Sequence, residues 1–249
     1  MFQIAPSSDW RTTRLFCFPH AGGGPSAFRG WRDQLGPDLE AVIVQLPGRE
    51  SRFREKPYLR MEPLVCDLAD AIIPYLANGQ KFAFFGNSLG GLIAYETLHA
   101  IKRRMGSDAI HFFVSASGAP HTPSPLPPMG YLNDRELVRE VSERYGGIPA
   151  LVLEDEEFLA ALLPTLRADI QMLEAYERSL PEPLSCPITA FAGARDRTVP
   201  VKHLEAWSDQ TTSSFTKIVL DEDHLYLQSA RKTLTATIRE TLVSAACAR

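Results

Sequence analysis

The segment Phe82-Ala83-Phe84-Phe85-Gly86-Asn87-Ser88-Leu89-Gly90-Gly91 constrains this chain more than any other. An apolar run of strand length passes into G-x-S-x-G and then into a stretch of helical spacing, Leu89–Lys102. A serine hydroxyl is a weak nucleophile unless a sharp turn presents it near a base, with helix N-terminal amides close to the developing oxyanion. Gly86 and Gly90 lack the side chains that would hold strand and helix apart on either side of such a turn. The segment predicts a strained nucleophile elbow at Ser88.

The rest of the chain supplies a setting for that elbow. Leu15–Phe18, Val42–Leu46, Phe82–Phe85, Phe112–Ser115, Ile188–Phe191 and Phe215–Leu220 read as strands. They are continuous apolar runs, as expected of strands covered by helices on both faces. Ala27–Leu35, Leu64–Leu76, Leu89–Lys102, His203–Trp207 and Leu227–Val243 carry helical spacing between and after them. The alternation predicts an α/β fold with a mostly parallel central sheet and helices on both faces.

The alternation breaks once, between His121 and about Pro183, where helical patterning takes over. The segment opens on Pro123, Pro125, Pro127 and Pro128, and Asn133 with Glu136 has the spacing of a capping box. Leu137, Val141 and Tyr145 share one helical face before Gly146 and Gly147. A second helical stretch is expected from about Asp155, and Pro164 is expected to open a third, striped by Leu166, Ile170 and Leu173. Such an insertion, residues 121–183, reads as a helical lid over the site, or else as a stabilising side bundle. At 249 residues the whole chain, 1–249, then forms a single domain containing the lid.

Composition narrows the classes further. With 26 basic and 30 acidic side chains the net charge is −4, which argues against a nucleic-acid partner held by phosphate contacts. No run approaches the roughly 18 apolar residues that span a bilayer, so no membrane partner is expected. Met1 to Trp10 lacks the form of a signal peptide, and a cytoplasmic protein is expected. Cys17, Cys66, Cys186 and Cys247 stand singly, as free thiols, mostly packing residues, with no C-x-x-C spacing for metal or redox work.

Serine needs a base and an orienting acid, and on a sheet of this kind they follow it in the order acid, then histidine, each on a loop after a strand. Of six histidines, His20 precedes the serine, His99 and His203 fall in helical stretches, His111 begins a strand and His121 precedes the candidate acid. His224, just beyond Phe215–Leu220, is the base by this order. Asp196, directly beyond Ile188–Phe191, is the acid, with Asp223 as its competitor. An oxyanion hole requires preorganised N–H groups, and Leu89, the residue after the nucleophile, offers one. The loop Phe18-Pro19-His20-Ala21-Gly22-Gly23-Gly24 offers the other, from Ala21 or, failing that, Gly22. Its three glycines lack the Lys-Ser/Thr ending of a P-loop, and His20 is read as shaping the loop.

Taken together, Phe18-Pro19-His20-Ala21-Gly22-Gly23, Leu46-Pro47-Gly48-Arg49-Glu50 with Arg52-Phe53, Gly86-Asn87-Ser88-Leu89-Gly90-Gly91, Ala192-Gly193-Ala194-Arg195-Asp196 and His224 resemble the type II thioesterases of nonribosomal peptide and polyketide biosynthesis. The resemblance extends from about Leu15 to the C-terminal helix, and Leu163-Pro164-Thr165-Leu166-Arg167-Ala168-Asp169 resembles that family's lid helix. It implies an α/β-hydrolase fold, a discrete enzyme without metal or cofactor, and acyl thioesters on the phosphopantetheine arm of an acyl or peptidyl carrier domain as substrates. It implies editing, the removal of misprimed or stalled acyl groups, with Ser88 as nucleophile, Asp196 as acid, His224 as base, and Ala21 and Leu89 as oxyanion donors. One departure is Asn87, where the family usually has His before the nucleophile, and a local change in hydrogen bonding is expected there. The loop Asp221-Glu222-Asp223 is also more acidic than the family's glycine-containing versions.

A monomer is expected, and carrier recognition is open between two surfaces. Arg49, Arg52, Arg54, Lys56 and Arg60 make a basic run that either steers an acidic carrier or is merely solvated. Leu151-Val152-Leu153 and Phe158 of the insertion are apolar alternatives, unless they pack in the core. Competing readings of the site are a carboxylesterase or lipase on free esters, a chain-releasing cyclase, and a catalytically silent interaction module.

Overall fold

Parallel strands dominate the computed structural model, which describes residues 12–146, 155–177 and 182–247. They are β1 (Thr13–Phe18), β2 (Leu39–Ile43), β3 (Phe82–Asn87), β4 (His111–Ser115), β5 (Ile188–Gly193) and β6 (Phe215–Leu220). The spatial order is β2-β1-β3-β4-β5-β6, and every pairing is parallel. Each expected strand is present. β2 begins three residues earlier than its apolar run suggests, because pairing with β1 joins Thr13 to Leu39 and Cys17 to Ile43. β6 departs from the expectation of two covered faces: as an edge strand it is partly exposed, with Val219 in solvent.

Seven α-helices surround and extend the sheet among the described residues: α1 (Trp31–Leu35), α2 (Met61–Ile72), α3 (Leu89–Met105), α4 (Asp134–Tyr145), α5 (Glu156–Glu174), α6 (Val201–Glu205) and α7 (Arg231–Cys247). The period of two along the strands sorts the core into two layers. Phe16, Phe18, Phe84 and Phe112 pack with Leu64 and Leu68 of α2 and Ile93 of α3. Their neighbours Leu15, Cys17, Phe85 and Phe113 face the other way, onto Trp31 of α1 and Leu234 and Ile238 of α7. Both faces are therefore covered, as the continuous apolar runs require. Cys17, Cys66 and Cys186 are free thiols, Cys66 at the surface.

The insertion forms its own small cluster, in which Leu137, Val138 and Val141 of α4 meet Leu166 and Ile170 of α5, with Met129 beneath. Asn133 and Glu136 make the expected capping box at the start of α4. Helix α5 corrects the expectation of a break at Pro164: it runs unbroken from the Asp155 cap through Pro164 to Glu174. Proline's fixed φ suits a helix, but an internal proline forfeits a backbone hydrogen bond and crowds the carbonyl four residues earlier, at a cost of about 3 kcal/mol. The apolar stripe continuing on both sides, Leu159 and Leu162 before and Leu166 and Ile170 after, packs as one face and holds the helix together. Gly147 and Leu151-Val152-Leu153 lie outside the described residues.

Candidate active site

The site lies at the carboxyl ends of β1, β3, β5 and β6, where four loops converge. Ser88 sits between β3 and α3 with φ 54° and ψ −121°, a conformation that L residues rarely adopt. The close approach around it depends on missing side chains. A Cβ on Gly86 would lie 2.3 Å from the Gly90 carbonyl oxygen, and one on Gly90 would lie 2.3 Å from the Phe18 oxygen. The Ser88 N–H donates to the Ser115 carbonyl at 2.8 Å, which ties the turn to β4.

The loops after β5 and β6 bring the expected partners to this serine. A Cβ at Gly193 would fall 2.1 Å from the Asp223 carbonyl oxygen, so glycine lets the two loops touch. His224 Nε2 then stands 3.0 Å from Ser88 Oγ, and its Nδ1 stands 2.8 Å from Asp196 Oδ2. Because a carboxylate only accepts, the Nδ1 proton faces Asp196 and Nε2 is left to accept from Ser88. Burial alone would raise the Asp196 pKa, but hydrogen bonds and charge from His224 together with hydrogen bonds from Thr198 outweigh it, and the carboxyl is held below its ordinary value. The competitor Asp223 is exposed and pairs with Arg195 at 3.5 Å, away from the imidazole. Arg195 also pairs with Asp221, so this one cation balances much of the acidic loop.

Two participants are absent from the sequence reading. Thr198 donates its hydroxyl to Asp196 Oδ1 at 2.7 Å and its N–H to the same oxygen at 2.7 Å, while the hydroxyl oxygen lies 2.8 Å from His224 Nδ1. Its place two residues beyond Asp196 is the signal of such a turn. Tyr145, at the end of α4, sets its ring 4.9 Å from the His224 ring, which brings the insertion into contact with the base. Nothing in the sequence distinguishes that use of Tyr145 from packing.

The expected change at Asn87 is visible. Its fully buried side chain donates from Nδ2 to Ser115 Oγ at 3.2 Å, Ser115 Oγ donates to the Tyr226 hydroxyl, and that hydroxyl donates to the Phe191 carbonyl. This chain of polar groups runs behind the elbow and leaves Ser88 and His224 undisturbed. His20 is buried beside Arg49 and the His224 ring, and desolvation first, with the charge of its neighbours adding to it, pushes its pKa down to about 4.

In the loop after β1, the Gly22 N–H donates to Asp169 Oδ2 at 2.7 Å and the Gly23 N–H to the His20 carbonyl at 3.0 Å. Gly22, the second candidate of that loop, is thereby engaged by Asp169 and turned from the role of oxyanion donor. Leu89 begins α3, where first-turn amides have no partner within the helix. Above Ser88 and His224 lies a cavity of about 950 Å³ whose apolar walls include Val141 and Tyr145 of α4 and Leu162, Leu166 and Ile170 of α5. The insertion thus covers the site. Met129 lines the cavity, whereas Tyr131 points to solvent.

The basic run after β2 is not one surface. Arg49 is buried and forms a two-pronged ion pair with Asp169, both contacts 2.9 Å. Arg52 donates to Glu55 and to the Gln45 carbonyl, and Arg60 sits 3.4 Å from Glu62. Arg49 is therefore excluded from any steering surface, because burial and the Asp169 carboxylate neutralise its charge. Among the described residues, no helix is long and apolar enough to cross a membrane.

A parallel sheet with a serine elbow after β3, an acid after β5 and a histidine after β6 defines an α/β-hydrolase. Residues 13–242 match the thioesterase domain family, and the chain belongs to that family. It is 38% identical to the gramicidin S biosynthesis protein GrsT of Aneurinibacillus migulanus over 88% of this chain and 84% of that protein. The RedJ thioesterase from the prodiginine pathway of Streptomyces coelicolor superposes with a TM-score of 0.85 at 38% identity, covering 95% of this chain and 90% of RedJ. YbtT, a type II thioesterase from the yersiniabactin nonribosomal peptide and polyketide pathway, superposes at 0.85 with 26% identity, covering 98% of each chain.

Proposed function

We propose that this protein is a discrete type II thioesterase that hydrolyses acyl groups from the phosphopantetheine arm of carrier domains in a nonribosomal peptide or polyketide assembly line. The observation that carries the reading is Ser88 Oγ at 3.0 Å from His224 Nε2, with Asp196 behind the imidazole, on the floor of an apolar cavity. The relatives named for gramicidin S biosynthesis and for the yersiniabactin nonribosomal peptide and polyketide pathway support the substrate class.

The chemistry follows from the parts. His224 Nε2 takes the Ser88 proton as Oγ attacks the thioester carbonyl carbon, and the carbonyl pair moves onto oxygen. The Ala21 and Leu89 N–H groups stabilise that oxyanion, each such donor contributing about 3 kcal/mol in a preorganised site. Collapse breaks the C–S bond, and the leaving sulfur takes the proton from Nε2. Water then gives a proton to Nε2 as it attacks the acyl-serine, and as the C–Oγ bond breaks Nε2 passes that proton to Oγ, releasing a carboxylic acid and restoring Ser88 and the neutral imidazole. Asp196 holds the tautomer and stabilises the imidazolium, with Thr198 fixing the carboxylate. We further take the protein to act as a cytoplasmic monomer.

The test compares an acetyl-loaded carrier domain with a free short-chain oxygen ester. Under this reading kcat/KM on the carrier exceeds that on the ester by at least about 100-fold, or about 3 kcal/mol of transition-state binding. Equal values would point to a general carboxylesterase, and a cyclic product in place of the free acid to a releasing cyclase.

A further inference from the structure

The buried pair Arg49–Asp169 joins the lid to the loop that carries Ala21. Asp169, on α5, has no exposed surface, and Arg49 lies after β2 at the other side of the cavity mouth. The Arg49 guanidinium donates twice to Asp169, once to the Gly23 carbonyl at 3.3 Å and once to the Pro47 carbonyl at 3.3 Å. Asp169 Oδ2 in turn accepts the Gly22 N–H at 2.7 Å. One carboxylate therefore holds both the guanidinium and the amide next to Ala21.

Other contacts hold α5 against the loops after β1 and β2. The Thr165 hydroxyl, one turn before Asp169, donates to the Gly48 carbonyl. A Cβ at Gly22 would meet Leu166 and Leu162 of α5 at 3.6 and 3.7 Å, so the helix rests directly on the loop. Glu50, held at φ 48°, accepts the Ser26 N–H at 3.0 Å and fixes the loop's far end. A buried ion pair adds little net stability after desolvation, whereas its two-pronged geometry fixes orientation closely. Here the group whose orientation it fixes is a peptide next to the oxyanion donor.

We propose that Asp169 and Arg49 are positioning residues for the thioesterase reaction: their ion pair anchors the Gly22 amide to α5 and thereby aims the Ala21 N–H at the developing oxyanion. The proposal rests on the serine mechanism above. Its consequence is that α5 is a fixed wall of the site during turnover and not a flap that lifts away. Loss of the anchor should weaken transition-state stabilisation more than substrate binding.

Asp169→Asn tests this, with Arg135→Ala as the comparison variant, since Arg135 pairs with Glu156 on the exposed face of the lid. For Asp169→Asn, kcat is expected to fall about 30-fold with KM within about twofold and the pH profile unchanged in shape, whereas Arg135→Ala keeps wild-type values. A folded Asp169→Asn with wild-type kcat, or with only KM raised, overturns the proposal. Should that variant not fold, Arg49→Lys keeps the charge but loses the fork. It should lower kcat about fivefold at unchanged KM, and a wild-type kcat overturns the proposal. In the wild-type protein the Gly22 amide should exchange with solvent slowly, and rapid exchange would also overturn it. Failure of the serine mechanism is read separately, as absence of acyl-Ser88 in the wild-type protein.

Discussion

At the scale of single residues, the outcome separates side chains whose chemistry is local from those defined by distant partners. Ser88, Asp196 and His224 each follow a strand end; chain order singles out Ser88 and His224 and narrows the acid to Asp196 or Asp223, and the pairing of Asp223 with Arg195 decides between those two. Tyr145 carries no such mark and Thr198 only its place two residues beyond Asp196, while Arg49 stands in a run that reads as steering or solvated and fits neither, because its partner lies 120 residues away. His20, His99 and His111 share a different property. Burial pushes each pKa from 6.5 to about 4, with positive neighbours adding to the effect at His20 and His99. The unfolded chain therefore binds these protons more readily than the native protein. Their contribution to stability is fully present above about pH 6.5 and is lost as pH falls through about 4. Asp196, with its depressed pKa, loses its contribution in the same direction at still lower pH. The urea midpoint should fall steadily from pH 7 to pH 4, and His111→Gln should flatten that fall by up to about 3 kcal/mol. A midpoint independent of pH over this window would contradict the account.

At the scale of elements, the strand–helix alternation was legible because strands covered on both faces read as continuous apolar runs. The exception, β6, is an edge strand whose apolar run is interrupted by Thr216 and Lys217, both exposed. Pro164 shows a limit: a helix survives an internal proline when the apolar stripe packs on both sides of it, and packing partners are not written locally. The elbow is the element on which the site depends most. Gly86→Ala would place a methyl group 2.3 Å from the Gly90 carbonyl, against backbone that cannot yield without moving Ser88. We expect at least about 1–3 kcal/mol of lost stability and a larger proportional loss of kcat. Gly106→Ala, at a helix end with open space around it, should cost about 1 kcal/mol and leave kcat unchanged. Chemical denaturation and steady-state kinetics on the two variants distinguish the cases, and an equally mild Gly86→Ala would count against the elbow's close packing.

At the scale of the whole molecule, we infer one domain, 1–249, that contains the helical lid insertion 121–183. The Arg49–Asp169 pair and the hydrogen bond from Tyr176 to Glu96 tie α5 and its C-terminal extension to the loops and helices around the sheet. With a net charge of −4, attraction of an acidic carrier cannot come from overall charge, and the exposed Arg54 and Lys56 are what remain of the basic run as a local source. The proposed reaction, unlike the elbow and the cavity themselves, requires Ser88 to become acylated. The most direct measurement is mass spectrometry of the protein quenched during turnover of an acyl-loaded carrier domain. The account predicts one acyl group on the peptide that contains Ser88, absent from Ser88→Ala, which should no longer deacylate the carrier. Carrier deacylation that persists in Ser88→Ala, or an acyl group on any other residue, would contradict it.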